Sequence, residues 1–166
     1  MNLATAPRNQ RGFTLVELII VILVIGILSA LALPRFINMG SDANTAKVQS
    51  IMGAVRSGAQ SVHAAALARN QTDATGTVVA DGVSIATAYG YPQAIQTGNG
   101  ATGIVDAAGM DTSGGNNDGI TLTGGGTNPL VIEVSGAATP ANCSVSYTAP
   151  AAANTTPTIS LTTTGC

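Results

Sequence analysis

Charged and aromatic side chains are scarce in this chain. Of its 166 residues, 8% are charged and 3% aromatic, with no Trp, one His and two Cys. Charged residues normally make up about a quarter of a soluble domain. Six basic and eight acidic residues give a net charge of −2, and this argues against nucleic-acid binding by bulk charge. The few His and Cys residues leave no catalytic or metal constellation, so neither an enzyme nor a cofactor is expected.

Apolar residues make up 45% of the chain, and they are unevenly distributed. Residues 18–33 carry no charge, and the segment 13–33 would form roughly 30 Å of helix, the thickness of the hydrocarbon core of a bilayer. Arg8 and Arg11 precede it. Positive charge on that side predicts a cytoplasmic N-terminus and export of everything that follows.

An ordinary secretory signal is the competing interpretation of this segment. Ser29-Ala30-Leu31-Ala32 offers small residues of the kind that a signal peptidase accepts. However, the apolar stretch is long for a signal, and the carboxylate of Glu17 near its start is not explained by a disposable signal.

Glu17 is the most informative residue of the segment. A charged side chain costs roughly 2.5–3.5 kcal/mol at the bilayer centre and less near the interface. One hypothesis is that the carboxylate reaches the headgroup level of the bilayer. The other is that it awaits a cationic partner from another chain.

The motif Arg11-Gly12-Phe13-Thr14-Leu15-Val16-Glu17, followed at once by a long apolar helix, resembles the prepilin signal of type IV pilins and pseudopilins. The resemblance implies that a prepilin peptidase cleaves between Gly12 and Phe13 and that Phe13 is N-methylated. It also implies that Glu17 pairs with the terminal amine of a neighbouring subunit during assembly. The implied partners are further copies in a helical filament, the inner-membrane assembly machinery, and the membrane before assembly.

Helix-weakening residues lie within and just after the apolar segment. Pro34 falls where this family commonly has a helix-bending proline, and Gly26 and Gly40 weaken the same region. Ser41 or Asp42 could then cap a new helical stretch that ends near Ala68. Its predicted buried stripe has spacings of three and four residues. The stripe comprises Val48, Met52, Val55, Ala59, Val62 and Ala66.

Beyond residue 70 the sequence becomes rich in Gly, Thr, Ala and Ser, with short runs typical of strands. Pro92 is predicted to open a short helix. The last four runs alternate well and predict an antiparallel sheet with one face on the helix. The predicted strands are Thr77–Ala80, Val83–Ala86, Ile120–Thr123, Leu130–Val134, Val145–Thr148 and Thr158–Thr162.

These patterns predict an α+β pilin fold, in which a long N-terminal α-helix carries a C-terminal antiparallel β-sheet packed on its second half. We assign residues 1–12 to a leader peptide and 13–34 to a transmembrane or filament-core helix. Residues 35–70 form the amphipathic continuation of that helix, and 71–166 a β-rich head with a C-terminal disulfide loop. The segment from Asp81 to Pro92 is similar to one in mannose-sensitive haemagglutinin (MSHA) type pilins, a type IVa subgroup.

Cys143 and Cys166 are expected to pair, since two cysteines of an exported domain usually form a disulfide. Two unpaired buried thiols are the alternative. Type IV pilins carry a similar disulfide-bounded segment.

The Gly/Asn-rich loop 111–126 could supply oxygens to Ca²⁺, but its spacing does not match an EF-hand, and such clusters are mostly turns. His63 has no second His or Cys nearby in the sequence and is predicted to be a solvated helix residue.

These features and the resemblance together predict a structural subunit of a type IV pilus. Such a subunit would be made as an inner-membrane precursor and assembled into an extracellular filament for adhesion or motility. A pseudopilin of a type II secretion system is the alternative, because it shares the N-terminal motif.

Overall fold

The computed structural model describes residues 12–80, 82–95, 102–110, 119–126 and 129–166, and at helix positions 32–38 it describes the backbone only. The chain divides into a unit of residues 1–39 and a unit of residues 40–166, which we call the head unit. In chain order, the described elements are the helix α1 (Leu15–Ala68), the strands β1 (Gly76–Ala80), β2 (Val83–Ala88) and β3 (Tyr91–Pro92), the short helix α2 (Ile104–Ala107), the strands β4 (Ile120–Gly124) and β5 (Leu130–Val134), a 3-10 turn (Pro140–Asn142), and the strands β6 (Ser144–Thr148) and β7 (Thr158–Thr162).

Helix α1 is one element of 54 residues. The predicted new helix start at Ser41 or Asp42 is therefore wrong. Because a proline removes only one backbone donor, the residues on either side of Pro34 can continue the helix. Whether Pro34 and its flanking glycines bend it stays a prediction.

Among the described residues, no helix combines the length and the apolarity needed to cross a membrane. The prediction that residues 13–34 span a bilayer therefore rests on the sequence alone.

The strands form two antiparallel sheets instead of one. Sheet A has the order β1-β2-β3, and sheet B the order β4-β5-β6-β7. In sheet B each strand pairs with its neighbour in sequence, for example Ile132 with Val145 and Tyr147 with Ile159. All six predicted strands are confirmed. Pro92 was placed wrongly, because it ends strand β3, and the following residues up to Ile95 are not helical.

One face of α1 forms the core of the head unit together with both sheets. The stripe prediction is confirmed for five positions, whereas Met52 is only half-buried and its neighbour Ile51 is buried. Val48, Ile51, Val55 and Ala59 belong to a cluster with sheet B and α2. Val62 and Ala66 pack instead with Val78 and Ile85 of sheet A. Successive turns of one helix thus support two different sheets.

Gly58 allows α2 to approach α1 closely. A Cβ built at Gly58 would lie 2.5 Å from the carbonyl oxygen of Ala107, well inside van der Waals contact. The close approach lets Ile104 and Val105, both fully buried, enter the core shared with sheet B.

Two buried hydroxyl groups of the head unit differ in their hydrogen bonding. Tyr147 Oη donates to the carbonyl oxygen of Pro92 at 2.7 Å and so joins sheet B to sheet A. Burial, and secondarily the nearby Tyr91 phenol, raises the pKa of Tyr147 well above its usual value, so this hydroxyl keeps its proton. Thr87 Oγ1 is also buried but has no hydrogen-bond partner among the described residues.

These two hydroxyls give a matched test. Tyr147→Phe should lower the free energy of unfolding by about 1–3 kcal/mol, because it leaves the buried Pro92 carbonyl without a donor. Thr87→Val, which removes an unpaired hydroxyl, should leave stability unchanged or raise it. Denaturant unfolding of the full chain in detergent measures both changes. A loss from Thr87→Val equal to that from Tyr147→Phe would contradict this assignment of the two groups.

Cys143 and Cys166 form a disulfide with a Cα–Cα distance of 4.8 Å, as the sequence predicted. Both cysteines are buried. The backbone of the bridged loop is closed by hydrogen bonds from Thr139 N to Gly165 O at 3.0 Å and from Gly165 N to Asn142 O at 2.9 Å. Asn44 of α1 donates to the carbonyl oxygens of Gly136 at 3.1 Å and Cys166 at 3.3 Å, which ties the bridged region to the helix.

Loss of the bridge should destabilise the head unit without altering α1 before residue 40. On the chain-entropy model, closing a loop of this length contributes about 3.5 kcal/mol. Cys166→Ser should lower the free energy of unfolding by roughly that amount, and reduction of the unmodified chain should reproduce the loss. Reaction of both cysteines with a thiol reagent in the denatured, non-reduced chain would show instead that the bridge does not form.

Candidate processing and assembly site

The predicted cleavage point lies just before the start of α1. Gly12, Phe13 and Thr14 are exposed residues outside any helix or strand, and Phe13 is 90% exposed. A Cβ built at Gly12 would meet no atom within 4 Å among the described residues. The peptide bond between Gly12 and Phe13 is therefore accessible in this chain.

Thr14 and Glu17 cap the first turn of α1. Glu17 N donates to Thr14 Oγ1 at 3.3 Å, and Thr14 N donates back to Glu17 Oε2 at 3.4 Å. The Thr14 hydroxyl also lies 3.4 Å from the same carboxylate oxygen. This reciprocal pattern is a capping box, and it satisfies two backbone donors that a helix start otherwise leaves without partners.

The capping box is a function of Glu17 that the sequence analysis missed. The Thr-x-x-Glu pattern directly before an apolar run is the signal that predicts it. A carboxylate in the first turn is further favoured by the positive end of the helix dipole. Glu17 is thus held at the helix start by local interactions of its own chain.

The capping box also fixes the direction in which the Glu17 carboxylate points. Both contacts from Thr14 go to Oε2, so the side chain turns back toward residue 14. Cleavage after Gly12 would create a cationic amine on Phe13, one residue before Thr14. The structure therefore brings the carboxylate and the future amine to the same end of the helix.

The apolar residues that follow are exposed without interruption. From Phe13 to Leu31, large apolar side chains range from 47% exposed at Ile19 and Val24 to 90% at Phe13. Gly26 and Gly40 have open space where a side chain would lie. The side chain of Pro34 and the calcium candidates at 111–118 lie outside the described residues.

His63 is half-buried, whereas the sequence predicted a solvated helix residue. Its ring stacks on Tyr91 with centroids 3.8 Å apart and an angle of 4° between the planes. Its Nδ1 lies 3.3 Å from the carbonyl oxygen of Gly90. The missed signal is the Tyr-Gly-Tyr sequence, which forms the turn that meets this face of α1.

Comparison with known proteins supports the N-terminal motif. Residues 7–33 match the family described as "Prokaryotic N-terminal methylation motif". The chain therefore carries this motif around Gly12 and Phe13.

Relatives that match about a third of this chain are named as type IV pilus or fimbrial proteins. The chain is 53% identical over 49 residues to the type IV narrow pilus major component PilA5 of Thermus thermophilus. The aligned residues make up 30% of this chain and 42% of that protein. It is 45% identical over 49 residues to the type IV major pilin protein PilA of Myxococcus xanthus, which covers 30% of this chain and 22% of that protein. Fimbrial protein Q of Moraxella bovis is 46% identical over 56 residues, 34% of each chain.

The match spans less than half the length of these relatives. No solved structure matches the chain significantly. The described architecture, a long N-terminal helix followed by antiparallel sheets, is consistent with the α+β fold of pilins. The narrower MSHA-type subgroup stays a prediction.

Cleavage between Gly12 and Phe13 is expected on expression with a prepilin peptidase. Mass spectrometry should find a chain of 154 residues (166 − 12) carrying one additional methyl group on Phe13. Gly12→Leu should block processing because it changes the residue that precedes the cut, whereas Thr14→Ser, which keeps the cap, should be processed normally. An N-terminus at or beyond Leu31 would indicate an ordinary signal peptide.

Proposed function

We propose that this chain is the structural subunit of a type IV pilus, which polymerises into an extracellular filament. One observation carries the proposal: a methylation motif directly precedes a helix whose apolar side chains are exposed from Phe13 to Leu31. The similarity of about a third of the chain to the type IV narrow pilus major component PilA5 and to the type IV major pilin protein PilA supports it.

The exposed apolar surface of α1 is unfavourable in water and is expected to be buried against lipid or protein. Burying one side chain such as Leu or Ile contributes roughly 1.5–3 kcal/mol, so a stretch of this length strongly favours removal from water. A uniform apolar surface around a helix suits either lipid or several helices of the same kind. Copies of the same helix would bury it on all sides and form the core of a filament.

A membrane stage before assembly follows from the same surface. We propose that the precursor is held in the inner membrane by residues 13–34, with its basic leader in the cytoplasm where a prepilin peptidase removes it. The inner-membrane assembly machinery then moves the processed subunit into the growing filament. Adhesion or motility is the proposed use of that filament at the cell surface.

Glu17 is proposed to select the register between neighbouring subunits. The Glu17 carboxylate turns back toward Thr14, so it lies at the same end of α1 as the Phe13 amine that cleavage would create. A neighbour whose helix start lies beside this carboxylate brings its own amine to it. Since the capping contacts from Thr14 use Oε2, Oε1 is the oxygen that we assign to the neighbour's amine. In a filament core, which excludes water, loss of this pairing would cost more free energy than at a surface, because it would leave a buried charge without a partner.

Replacing Glu17 separates capping from charge pairing. Glu17→Gln keeps an acceptor for the Thr14 backbone but removes the charge, so the subunit should be processed normally while the yield of filaments falls at least tenfold. Thr14→Ala should cost about 0.5–2 kcal/mol at the helix start and leave most of the filament yield, because the carboxylate remains. Electron microscopy and sheared-filament protein from strains with each variant as the sole subunit measure the yield.

Two results would contradict this role of Glu17. Abundant filaments from Glu17→Gln would show that the charge is not needed. Equal loss from Thr14→Ala and Glu17→Gln would show that Glu17 acts through the cap alone.

A pseudopilin of a type II secretion system shares the motif and is the second candidate. Deletion of the gene separates the two functions. Loss of surface filaments with normal export of secreted proteins supports the pilus subunit, and the reverse result supports the pseudopilin.

A further inference from the structure

A groove runs along α1 in the head unit, between the helix and residues 153–157. It consists of a cavity of about 370 Å³ and one of about 270 Å³, which share Tyr91 and Thr156 in their walls. The helix contributes Arg56, Gln60 and His63, residues of one face separated by four and three positions. We call this feature the α1 groove. Its larger cavity falls within the usual size range of small-molecule sites.

The larger cavity is lined by three aromatic side chains, those of His63, Tyr89 and Tyr91. Tyr91 is stacked on His63, and the Nδ1 of that imidazole faces the Gly90 carbonyl oxygen at 3.3 Å. The contact occupies one ring nitrogen and leaves Nε2 as the other polar atom of the ring. The backbone N of Tyr89 donates to the carbonyl oxygen of Asp73 at 2.8 Å. Tyr89 of the β2–β3 turn and Tyr91 of β3 therefore both line the cavity.

Tyr89 occupies a backbone conformation that its residue type disfavours. Tyr89 and Gly90 form the two-residue turn between paired Ala88 and Tyr91, with φ of +49° and +81°. Both positive values match a type I′ turn, for which Asn or Gly is preferred at the first position. Asn154, on the opposite wall of the cavity, also has a positive φ of +60°. Residues held in such conformations concentrate at ligand sites. Because the backbone of this turn would favour Asn or Gly, we attribute the tyrosine at position 89 to a role of its side chain in the cavity.

The charge of the groove is opposite to that of the chain. The whole chain has a net charge of −2, yet within the described residues neither cavity is lined by an acidic side chain. Arg56 is exposed, and it lines the smaller cavity together with Gln60. A guanidinium binds a carboxylate with two parallel hydrogen bonds. The two ends of the groove therefore offer different chemistry, aromatic surface at one and a carboxylate-binding group at the other.

We propose that the α1 groove binds an acidic oligosaccharide, of the uronic acid class. The apolar C–H faces of a sugar ring pack on aromatic side chains, while its hydroxyls bond to the amide of Asn154, the hydroxyl of Thr156 and the imidazole of His63. A carboxylate on the adjoining ring reaches Arg56. The proposal concerns the head unit alone and holds whether or not the chain polymerises.

Calorimetric titration of the detergent-solubilised full chain tests this site without requiring filaments. A galacturonic acid hexasaccharide is the probe, and a neutral galactose hexasaccharide is its matched control. The acidic probe should bind at least tenfold more tightly than the neutral one, and this difference should shrink as salt is raised. Equal affinities for the two, or no binding of either, would overturn the proposal. An acidic peptide of the same charge binding as tightly as the acidic probe would overturn the assignment to a saccharide.

Two variants with one control test the groove residues. Arg56→Gln should weaken binding of the acidic probe at least tenfold and leave weak binding of the neutral probe unchanged. Tyr89→Asn should weaken binding of both probes while the melting temperature stays the same or rises, because Asn suits the turn. Arg69→Gln, which makes the same charge change just after the end of α1 and outside the groove, should have no effect on affinity. Unchanged affinity in Arg56→Gln, or equal losses in Arg56→Gln and Arg69→Gln, would show that the groove is not the site.

Discussion

The contact between one face of α1 and two separate sheets supports the rest of the head unit. Sheet A has three strands, one of them only two residues long, and such a sheet is not stable alone in water. Val62 and Ala66 pack on it, while Val48, Ile51 and Val55 pack on sheet B from the preceding turns of the same helix. The helix thus acts as the second layer for both sheets. The Tyr147 hydroxyl also joins the two sheets directly through its hydrogen bond to Pro92. This single hydrogen bond contributes less than the apolar contacts that both sheets make with the helix.

The predictions that succeeded rest on periodicity. Spacings of three and four residues identified the buried stripe of α1, and alternation identified the four strands of sheet B, including both limits of Leu130–Val134 and Thr158–Thr162. Other features depend on partners remote in sequence. Nothing local separates sheet A from sheet B, and Pro92 ends a strand because Thr87 is its partner across the sheet. Ile51 is buried in place of Met52 since α2 and sheet B meet that side of the helix.

The candidate site was predictable in its chemistry and less so in its geometry. The cleavage motif and the acidic residue at position 17 follow from the sequence, and comparison supports the motif. The Thr-x-x-Glu pattern in the same seven residues predicts the reciprocal bonds between Thr14 and Glu17, whereas the resemblance to pilins implies a partner in another chain. A residue can serve both roles, because a carboxylate has two oxygens and the cap engages only one. The strained Tyr89 could not be foreseen, since its φ depends on the register between β2 and β3.

The disulfide has a mechanical consequence. Cys143 and Cys166 bracket strands β6 and β7, and their sequence separation is 23 residues. If a load were applied between α1 and residue 166, the covalent bridge would carry it directly to Cys143. Fully extended, the bridged segment would otherwise add about 80 Å of length at roughly 3.5 Å per residue. The hairpin of β6 and β7 is therefore outside the load path, and any yielding under tension must begin in the part of the chain before Cys143.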